Sequence, residues 1–383
     1  MENNKISRWL FLVFIFLLPF QTRFILFPTK PEFLGFSVYL SEVFLWCALA
    51  FWLINDYKKV KIHFYILLFL FFCFLSIIWT PDKIAAFRLW LYFFEGILAF
   101  SYLKLNREIW TYVSKTFLTS LFLVSCFAIW QFFNLGSPAF KWLGLSARGA
   151  WNLGDIVIGS DGMRWLRAYG TFPHPNILGG YLALGILLLI AFVKSGATKI
   201  FAYPLGAIFI FSLFLTFSRS AWLGLSVVFI YYVFKNFDNK EIRKFFIFSV
   251  FFIFSISFIF WPFVTSRVKS IGYLENKSNT ERLASWKEGI KVWSMNPVLG
   301  AGIGNYTNYK NSQPAHNIFL MVLAELGAIG FLLYIFIWRK LWKSGLRSAL
   351  ILFFIIGLFD HYFWTLYPGQ MLFWVGLAFF QEN

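Results

Sequence analysis

Residues 176–193 have the sequence NILGGYLALGILLLIAFV, which gives the clearest indication of the fold class. It contains no charged residue, and its length approaches the ~20 apolar residues that an α-helix needs to cross the hydrocarbon core of a bilayer. Such a run predicts a transmembrane helix. Apolar runs of similar character recur along the chain, so the sequence predicts a protein that crosses a membrane many times.

Composition supports the same fold class. The 383 residues are 60% hydrophobic and 23% aromatic, and only 13% are charged, compared with about 25% in soluble domains. A soluble domain of this size would have too few polar residues to cover its apolar surface. The formal net charge of +17 would suggest nucleic-acid binding in a soluble protein. Here the basic residues lie between apolar runs, so we expect membrane lipids as surroundings and no nucleic-acid partner.

Apolar runs predict an all-α, polytopic bundle of about twelve transmembrane spans. The predicted spans are 9–27, 36–55, 62–79, 85–103, 108–133, 172–193, 199–217, 220–234, 245–265, 316–338, 347–366 and 369–381. We divide the chain into N-terminal helices and a first long loop in residues 1–160, a core in residues 161–338 and C-terminal helices in residues 339–383.

Lysine and arginine are unevenly distributed between alternate connections, which predicts the orientation. The positively charged connections hold Lys5 and Arg8; Lys58, Lys59 and Lys61; Lys104 and Arg107; Lys194 and Lys199; Lys235, Lys240, Arg243 and Lys244; and Arg339, Lys340, Lys343 and Arg347. Because positive loops stay in the cytoplasm, both termini are predicted to be cytoplasmic. Two long connections, 134–171 and 266–315, then face the outer side and are candidates for function.

The second long connection is predicted to be partly helical. Ser278 and Glu281 match an S-x-x-E capping box, and Leu283, Trp286, Ile290 and Trp293 follow at helical spacing before Pro297. This pattern predicts an amphipathic helix on the outer membrane surface.

The first candidate site segment runs from Arg167 to Asn176, at the outer end of the sixth span. Prolines on both sides of His174 fix the backbone before a helix, and Asn176 is the expected N-cap. Because a helix N-terminus attracts anions, Arg167, His174 and Asn176 are candidate substrate-binding residues. The alternative is that the segment is only a rigid helix start.

The second candidate is Arg219, within Thr216-Phe-Ser-Arg-Ser-Ala-Trp222. The connection here is nearly absent, so the arginine lies at or inside the outer membrane boundary. An arginine there is costly unless it pairs or snorkels, and intramembrane ionisable groups point to function. A snorkelling arginine is the alternative.

The third candidate combines Arg282, on the first turn of the predicted loop helix, with Trp286 and a glycine-rich loop. Backbone N–H groups around Gly300 and Gly302 could face an anion. No strand precedes this loop, so it is not a dinucleotide-binding fingerprint.

The fourth candidate is His316-Asn317, where the long outer loop re-enters the membrane, followed by Glu325 in the tenth span. An imidazole titrates near neutral pH and suits a general base. Glu325 lies nine residues further, roughly 13 Å deeper at 1.5 Å per residue, which favours a structural or tuning role. Weaker candidates are Glu42, Arg88, Glu95, Asp360 and His361.

The outer segments offer arginine and histidine and few carboxylates. No Asp, Glu or His cluster has metal-ligand spacing, and no P-loop is present. We therefore expect no metal and no cofactor. This chemistry suits binding a phosphate-rich leaving group and removing a proton from a hydroxyl.

Six short motifs, in this order, resemble the bacterial family of O-antigen ligases and polymerases. They are Gly170-Thr-Phe-x-His-Pro-Asn176, Ser218-Arg-Ser220, Arg282-x-x-x-Trp286, Asn296-Pro-x-x-Gly-x-Gly302, His316-Asn317 and Glu325-x-Gly-x-x-Gly330. The resemblance covers residues 160–335. It implies about twelve spans with a large periplasmic loop between the ninth and tenth.

The resemblance also implies a metal-independent glycosyltransferase in the bacterial inner membrane, with its active face in the periplasm. The donor would be an undecaprenyl-diphosphate-linked glycan and the acceptor a glycan or glycolipid such as the lipid A core. The family's essential arginines correspond to Arg219 and Arg282, and its essential histidine to His316. Three alternatives stay open: a polymerase of O-antigen, capsule or another exopolysaccharide in the same family, a protein O-oligosaccharyltransferase, and a lipid-linked oligosaccharide flippase or transporter.

Overall fold

The computed structural model describes residues 2–27, 35–56, 58, 60, 62–160, 163–194, 199–269, 273–308, 313–344 and 346–380. Helices dominate these ranges, and the strands within them form two-stranded antiparallel sheets. The helical fold class predicted from the apolar runs is therefore confirmed.

The helices are α1 (Glu2–Leu17), α2 (Leu40–Asp56), α3 (Phe64–Ser76), α4 (Lys83–Leu105), α5 (Trp110–Phe133), α6 (Pro175–Lys194), α7 (Lys199–Thr216), α8 (Arg219–Lys235), α9 (Lys240–Ile259), α10 (Trp261–Lys269), α11 (Tyr273–Met295), α12 (Ile318–Lys343), α13 (Arg347–Phe359), α14 (Tyr362–Thr365) and α15 (Tyr367–Phe379). The paired strands are β1 (Arg23–Phe27) with β2 (Phe36–Tyr39), β3 (Gly136–Ser137) with β4 (Arg148–Gly149), and β5 (Val157–Ser160) with β6 (Met163–Leu166).

Five helices of the described residues are long and apolar enough to cross a membrane. They are α4, Arg107–Phe133, α6, α9 and α12. Shorter apolar helices occupy Leu40–Ile54, Phe64–Ser76, Phe201–Thr216 and Arg347–Phe359. The chain is therefore a membrane protein with several apolar helices, while the count of about twelve spans and the periplasmic location of the 266–315 segment stay predictions.

Two predicted spans end earlier than the apolar runs suggested. The first, 9–27, stops at Leu17, and β1 follows; Pro19 lies just beyond the helix and has no N–H group with which to continue it. The eleventh, 347–366, is interrupted at Asp360, whose extended backbone (φ −144°, ψ 158°) ends α13. Hydropathy averaged over a long window missed both breaks because further apolar residues, Phe24–Phe27 and Tyr362–Trp364, follow each of them.

The helix in the 266–315 segment, α11, differs from the prediction in the residue at which it begins and in which of its side chains are exposed. α11 begins at Tyr273, so Ser278 lies inside the helix and does not begin it. Leu283 and Ile290 are 59% and 54% exposed, whereas Gly289 is buried against α12. A Cβ at Gly289 would lie 2.6 Å from Leu320 Cδ2. This close approach turns the two aliphatic side chains outward.

The chain forms two compact units. The first comprises Met1–Leu18, Arg23–Val113 and Glu281–Asn383, and the second comprises Pro19–Thr22 and Ser114–Thr280.

In the first unit, α1 packs on α2, α3 on α12, and α4 on α15. Gly96 of α4 makes the last contact possible, because a Cβ there would lie 2.1 Å from Trp374 Cδ1. Arg88 of α4 is 3% exposed and pairs with Glu42 of α2. These contacts give the first unit a closely packed core.

In the second unit, α6 is almost wholly buried, and α7, α8 and α9 pack around it. Residues 134–160 and 163–171 contain β3 to β6. An ion pair of 2.7 Å joins Arg148 to Asp155, and the buried Ala150, Leu166 and Tyr169 form a small core. This ordered segment leads directly into the first candidate site motif.

Candidate functional site

Arg219 is positioned by a tight turn between α7 and α8. Phe217 in this turn has a φ of 49°, a left-handed conformation that persists in a non-glycine residue only when the surroundings hold it. Three consecutive carbonyl oxygens of the turn accept hydrogen bonds from buried donors: Leu215 from Ala168 N (3.0 Å), Thr216 from Arg167 Nε (2.6 Å) and Phe217 from Arg267 Nε (3.0 Å). The turn therefore places Arg219 at the first position of α8.

The first candidate motif is tied into the same turn. Arg167 is 4% exposed and also donates to Asn176 Oδ1 at 2.8 Å. α6 begins at Pro175, so the N-cap is His174 and not Asn176 as predicted; His174 Nδ1 accepts from Asn176 N at 3.0 Å. Proline favours the first helical position, which moves the cap back to His174. Arg167, His174 and Asn176 are thus all held in intramolecular hydrogen bonds.

Two helix N-termini approach each other in this part of the second unit. A Cβ at Gly179, early in α6, would lie 2.9 Å from Ser218 Cβ, which precedes α8. A helix N-terminus carries partial positive charge and favours an anion. Arg219 adds a full positive charge at the start of α8. The arrangement is therefore electrostatically suited to an anionic ligand.

In the first unit, the glycine-rich loop inserts into a break in α12. Gly327 has φ 64° and ψ −167° inside this helix. Backbone hydrogen bonds then cross between loop and helix in both directions: Ala301 N to Ala324 O (3.0 Å), Gly302 N to Glu325 O (2.8 Å), Ala328 N to Pro297 O (2.9 Å) and Ile329 N to Val298 O (3.3 Å). The loop thus replaces bonds that the break removes from α12.

These hydrogen bonds differ from the prediction that the backbone N–H groups of the loop face an anion. Gly300 N donates to Asn296 O at 2.8 Å, and Gly302 N donates to Glu325 O. The N–H groups expected to face an anion are bonded within the first unit. A glycine-x-glycine pattern permits close backbone approach, and here the approaching partner is α12.

Glu325 connects the loop to the C-terminal helices. Its carboxylate accepts hydrogen bonds from Gly304 N (3.0 Å), Tyr306 N (3.3 Å) and Trp364 Nε1 (2.7 Å). The residue is 2% exposed, and a carboxylate at such burial is normally held by several donors. The structure therefore gives Glu325 a positioning role for the loop.

His316 lies against the Arg282-x-x-x-Trp286 motif. Trp286 Nε1 donates to His316 O at 3.3 Å, and His316 N lies 3.5 Å from Ser285 Oγ. Arg282 lies one helical turn before Ser285 and Trp286, on the same face of α11. The structure therefore brings Trp286 and His316 together, with Trp286 supporting the histidine backbone, and Arg282 lies one helical turn from this contact.

An acidic residue, Asp360, approaches the His316 ring. Asp360 Oδ1 lies 3.8 Å from His316 Nδ1, and the exposed fractions of the two side chains are 4% and 29%. His361 packs edge-on to the same ring at a centroid distance of 5.3 Å, and its Nδ1 lies 2.7 Å from Thr365 Oγ1. His316 therefore has a buried negative charge behind it and a partly accessible face.

Asn317 has a local structural use. Its Oδ1 accepts from Leu320 N at 3.0 Å and caps α12, and its Nδ2 donates to Leu358 O at 3.2 Å. The side chain fixes the start of α12 next to the end of α13, and this placement holds His316 beside Asp360.

Sequence reasoning gave too little weight to two residues. Arg267 is 5% exposed and supports the Phe217 turn, but nothing in the sequence distinguishes it from other loop arginines. Asp360 was a weaker candidate; its only sequence signal was a charged pair, Asp360-His361, inside an apolar run. Within the described residues no three His, Cys, Asp or Glu side chains cluster as metal ligands would.

Replacing Gly327 with alanine is expected to destabilise the protein. The φ and ψ of Gly327 lie in a region that only glycine occupies at low cost, and strain there costs about 1–3 kcal/mol. A Cβ would also lie 2.3 Å from Val298 O. Thermal unfolding of the purified protein in detergent measures the effect. Gly159→Ala is the matched control, because no atom lies within 4 Å of a Cβ there; equal unfolding temperatures for the two variants would contradict the assignment.

Comparison with known proteins supports the motif analysis over part of the chain. Residues 204–335 match the O-antigen ligase family, and no curated protein matches the chain. The matched segment contains the Arg219 turn, the Arg282-x-x-x-Trp286 motif, the glycine-rich loop and His316. The resemblance inferred from the ordered motifs is therefore confirmed over residues 204–335, the segment that matches the O-antigen ligase family.

Proposed function

We propose that the chain transfers a glycan from undecaprenyl diphosphate to an acceptor hydroxyl at the outer face of the bacterial inner membrane. The acceptor class is the lipid A core or a similar glycolipid. The match of residues 204–335 to the O-antigen ligase family supports this proposal, together with the apolar helices that would keep a lipid-linked donor beside the protein.

The observation that carries the proposal is the contact between α11 and the start of α12. Arg282 and His316 come from motifs 34 residues apart, yet Ser285 and Trp286, one turn beyond Arg282, both contact the His316 backbone. An arginine and a partly exposed histidine at one place supply the two functions that the reaction needs, namely a cation for the diphosphate and a base for the hydroxyl.

The proposed reaction is a single displacement. The acceptor oxygen forms a bond to the anomeric carbon as the bond from that carbon to the diphosphate oxygen breaks. The electron pair leaves with undecaprenyl diphosphate, and the hydroxyl proton passes to His316. Asp360, 3.8 Å away, stabilises the resulting imidazolium. Attack opposite to the leaving group inverts the anomeric configuration.

The arginines act on the leaving group in this proposal. A guanidinium binds phosphate oxygens through two parallel hydrogen bonds, and it offsets negative charge that grows as the glycosidic bond breaks. Arg282 takes this role in the first unit. Arg219 is assigned the same role because the two nearby helix N-termini favour an anion as well.

The Arg282→Gln variant tests the proposal. Loss of one charge-stabilising group is expected to lower the transfer rate about 10²-fold, measured with the full chain and a lipid-linked glycan donor. Lys287→Gln, an exposed residue of the same helix, removes an equal charge and should leave the rate unchanged. Equal rates for wild type and Arg282→Gln would remove this arginine from the reaction.

Product analysis distinguishes the acceptors. A ligase yields glycan attached to the glycolipid and free undecaprenyl diphosphate. Growth of a longer glycan on undecaprenyl diphosphate would instead identify a polymerase. Movement of the donor across a vesicle membrane without any new glycosidic bond would contradict both and favour a transporter.

A further inference from the structure

A large apolar cavity lies within the second unit, between α5, α6 and α7. Its volume is about 510 Å³, within the range of about 300–1,000 Å³ that is typical of small-molecule sites. Most of the lining is aliphatic or aromatic, including Leu118, Phe122, Phe192, Phe201 and Leu205. None of its lining residues belongs to the motifs of the candidate site.

The three helices close one end of this cavity. A Cβ at Gly185 of α6 would lie 2.5 Å from Leu121 Cδ2 of α5 and 3.3 Å from Phe209 Cε2 of α7. The helices therefore meet closely at this level. One to two turns away, towards the end of α6 and the start of α7, they separate and leave the cavity. Phe201 is 69% exposed at this end, so the cavity opens where an aromatic side chain already faces the surroundings.

Lys115 is the positively charged residue among those that line this cavity. It is exposed and lies on the α5 face that also carries Leu118, Thr119 and Phe122, at helical spacing. No carboxylate contributes to the lining, and among the described residues Lys115 has no ion-pair partner. A lone ammonium group beside an apolar cavity is complementary to a molecule with an anionic head and an apolar chain.

The sequence predicts on which side of the membrane the cavity opens. The connection between α6 and α7 contains Lys194 and Lys199, and its positive charge predicts that it faces the cytoplasm. Basic pockets between transmembrane helices on the cytoplasmic side bind the head groups of anionic lipids. The cavity therefore opens at the level of the cytoplasmic leaflet.

We propose that this cavity is a binding site for an anionic phospholipid of the cytoplasmic leaflet. The lipid phosphate pairs with Lys115, Thr119 offers a hydroxyl one turn further along α5, and an acyl chain fills the apolar space that ends at Gly185. The site is distinct from the residues assigned to glycan transfer, and it does not depend on the proposed function.

Lipid retention measures this binding. The full chain is reconstituted in vesicles of phosphatidylcholine and phosphatidylglycerol at a stated ratio, extracted gently, and analysed for bound lipid by native mass spectrometry. We expect phosphatidylglycerol to be enriched over its share of the vesicle. Lys115→Gln is expected to reduce the enrichment about fivefold, the effect of one lysine near an anionic lipid surface. Leu118→Trp, which fills the cavity, is expected to reduce retention of the lipid itself.

The control is Lys244→Gln, which removes an equal charge from an exposed lysine of α9 (54% side-chain exposure) that does not line the cavity. It should leave the enrichment unchanged. Equal retention of phosphatidylcholine and phosphatidylglycerol by the wild type would overturn the proposal, as would an equal effect of Lys115→Gln and Lys244→Gln. Unfolding temperatures of all variants show that a loss of lipid is not a loss of fold.

Discussion

Replacing His316 with alanine is expected to lower the rate of glycan transfer by about two to four orders of magnitude, the usual contribution of a general base. The surroundings of the His316 ring suit this role. His316 is 29% exposed, and the buried Asp360 carboxylate lies 3.8 Å from its Nδ1. An imidazolium formed by proton transfer would therefore be stabilised by a negative charge that solvent does not screen.

The neighbouring histidine cannot take over this function. His361 lies in the connection between α13 and α14, where its Nδ1 already shares a hydrogen bond with Thr365 Oγ1 at 2.7 Å. That ring nitrogen is therefore occupied and is not available to the acceptor hydroxyl. The effect of His316→Ala should therefore not be masked by proton transfer to His361.

The measurement is the rate of transfer by the purified full chain under single-turnover conditions, with the protein in excess over the lipid-linked donor. His63→Ala is the control, because His63 precedes α3 and has no assigned part in the reaction. Matching unfolding temperatures would show that both variants fold. A His316→Ala rate equal to that of wild type would rule out proton transfer to this residue.

The sequence predicted the helical membrane class well, for physical reasons that act locally. A long apolar run such as residues 176–193 determines its own helix, since every backbone N–H and C=O in hydrocarbon must be paired within the segment. Arg282 and Trp286 are four residues apart on one helix, so their common face follows from the helical repeat. The match at residues 204–335 confirms the family that these motifs indicated.

Other features depend on contacts that no local pattern contains. The break at Gly327 exists because the loop at Pro297–Gly302 supplies hydrogen bonds across it. A hydropathy plot shows only a continuous apolar segment at this position and does not indicate the break. The N-cap at His174 depends on which proline begins α6. The partner of Arg88 is also non-local. Its main partner is Glu42 of another helix, whereas Glu95 of the same helix lies 3.9 Å from the guanidinium.

The Arg88→Ala variant is expected to lower the free energy of unfolding by about 3–5 kcal/mol, the cost of leaving a buried charge without its partner. Arg88 donates to Glu42 Oε1 at 2.6 Å and to Glu42 Oε2 at 2.5 Å, and it also bonds to Ser37 O. Its guanidinium lies 4.3 Å from the centre of the Tyr92 ring. Glu42 is 2% exposed, so after the substitution its carboxylate would have no water and no cation.

Two further variants show whether the buried charge causes this loss. Arg8→Ala removes an arginine from the Arg8–Glu108 pair, in which the side chains are 35% and 52% exposed, and should cost only about 0–1 kcal/mol because solvent screens that pair. The double variant Arg88→Met with Glu42→Gln removes both charges and should be more stable than Arg88→Ala alone, since no unpaired carboxylate of Glu42 remains. Unfolding in detergent by a denaturant titration gives all three values. Equal losses for Arg8→Ala and Arg88→Ala would mean that the Glu42 pair is screened like a surface pair, and that α2 and α4 are held together by apolar packing rather than by this charge.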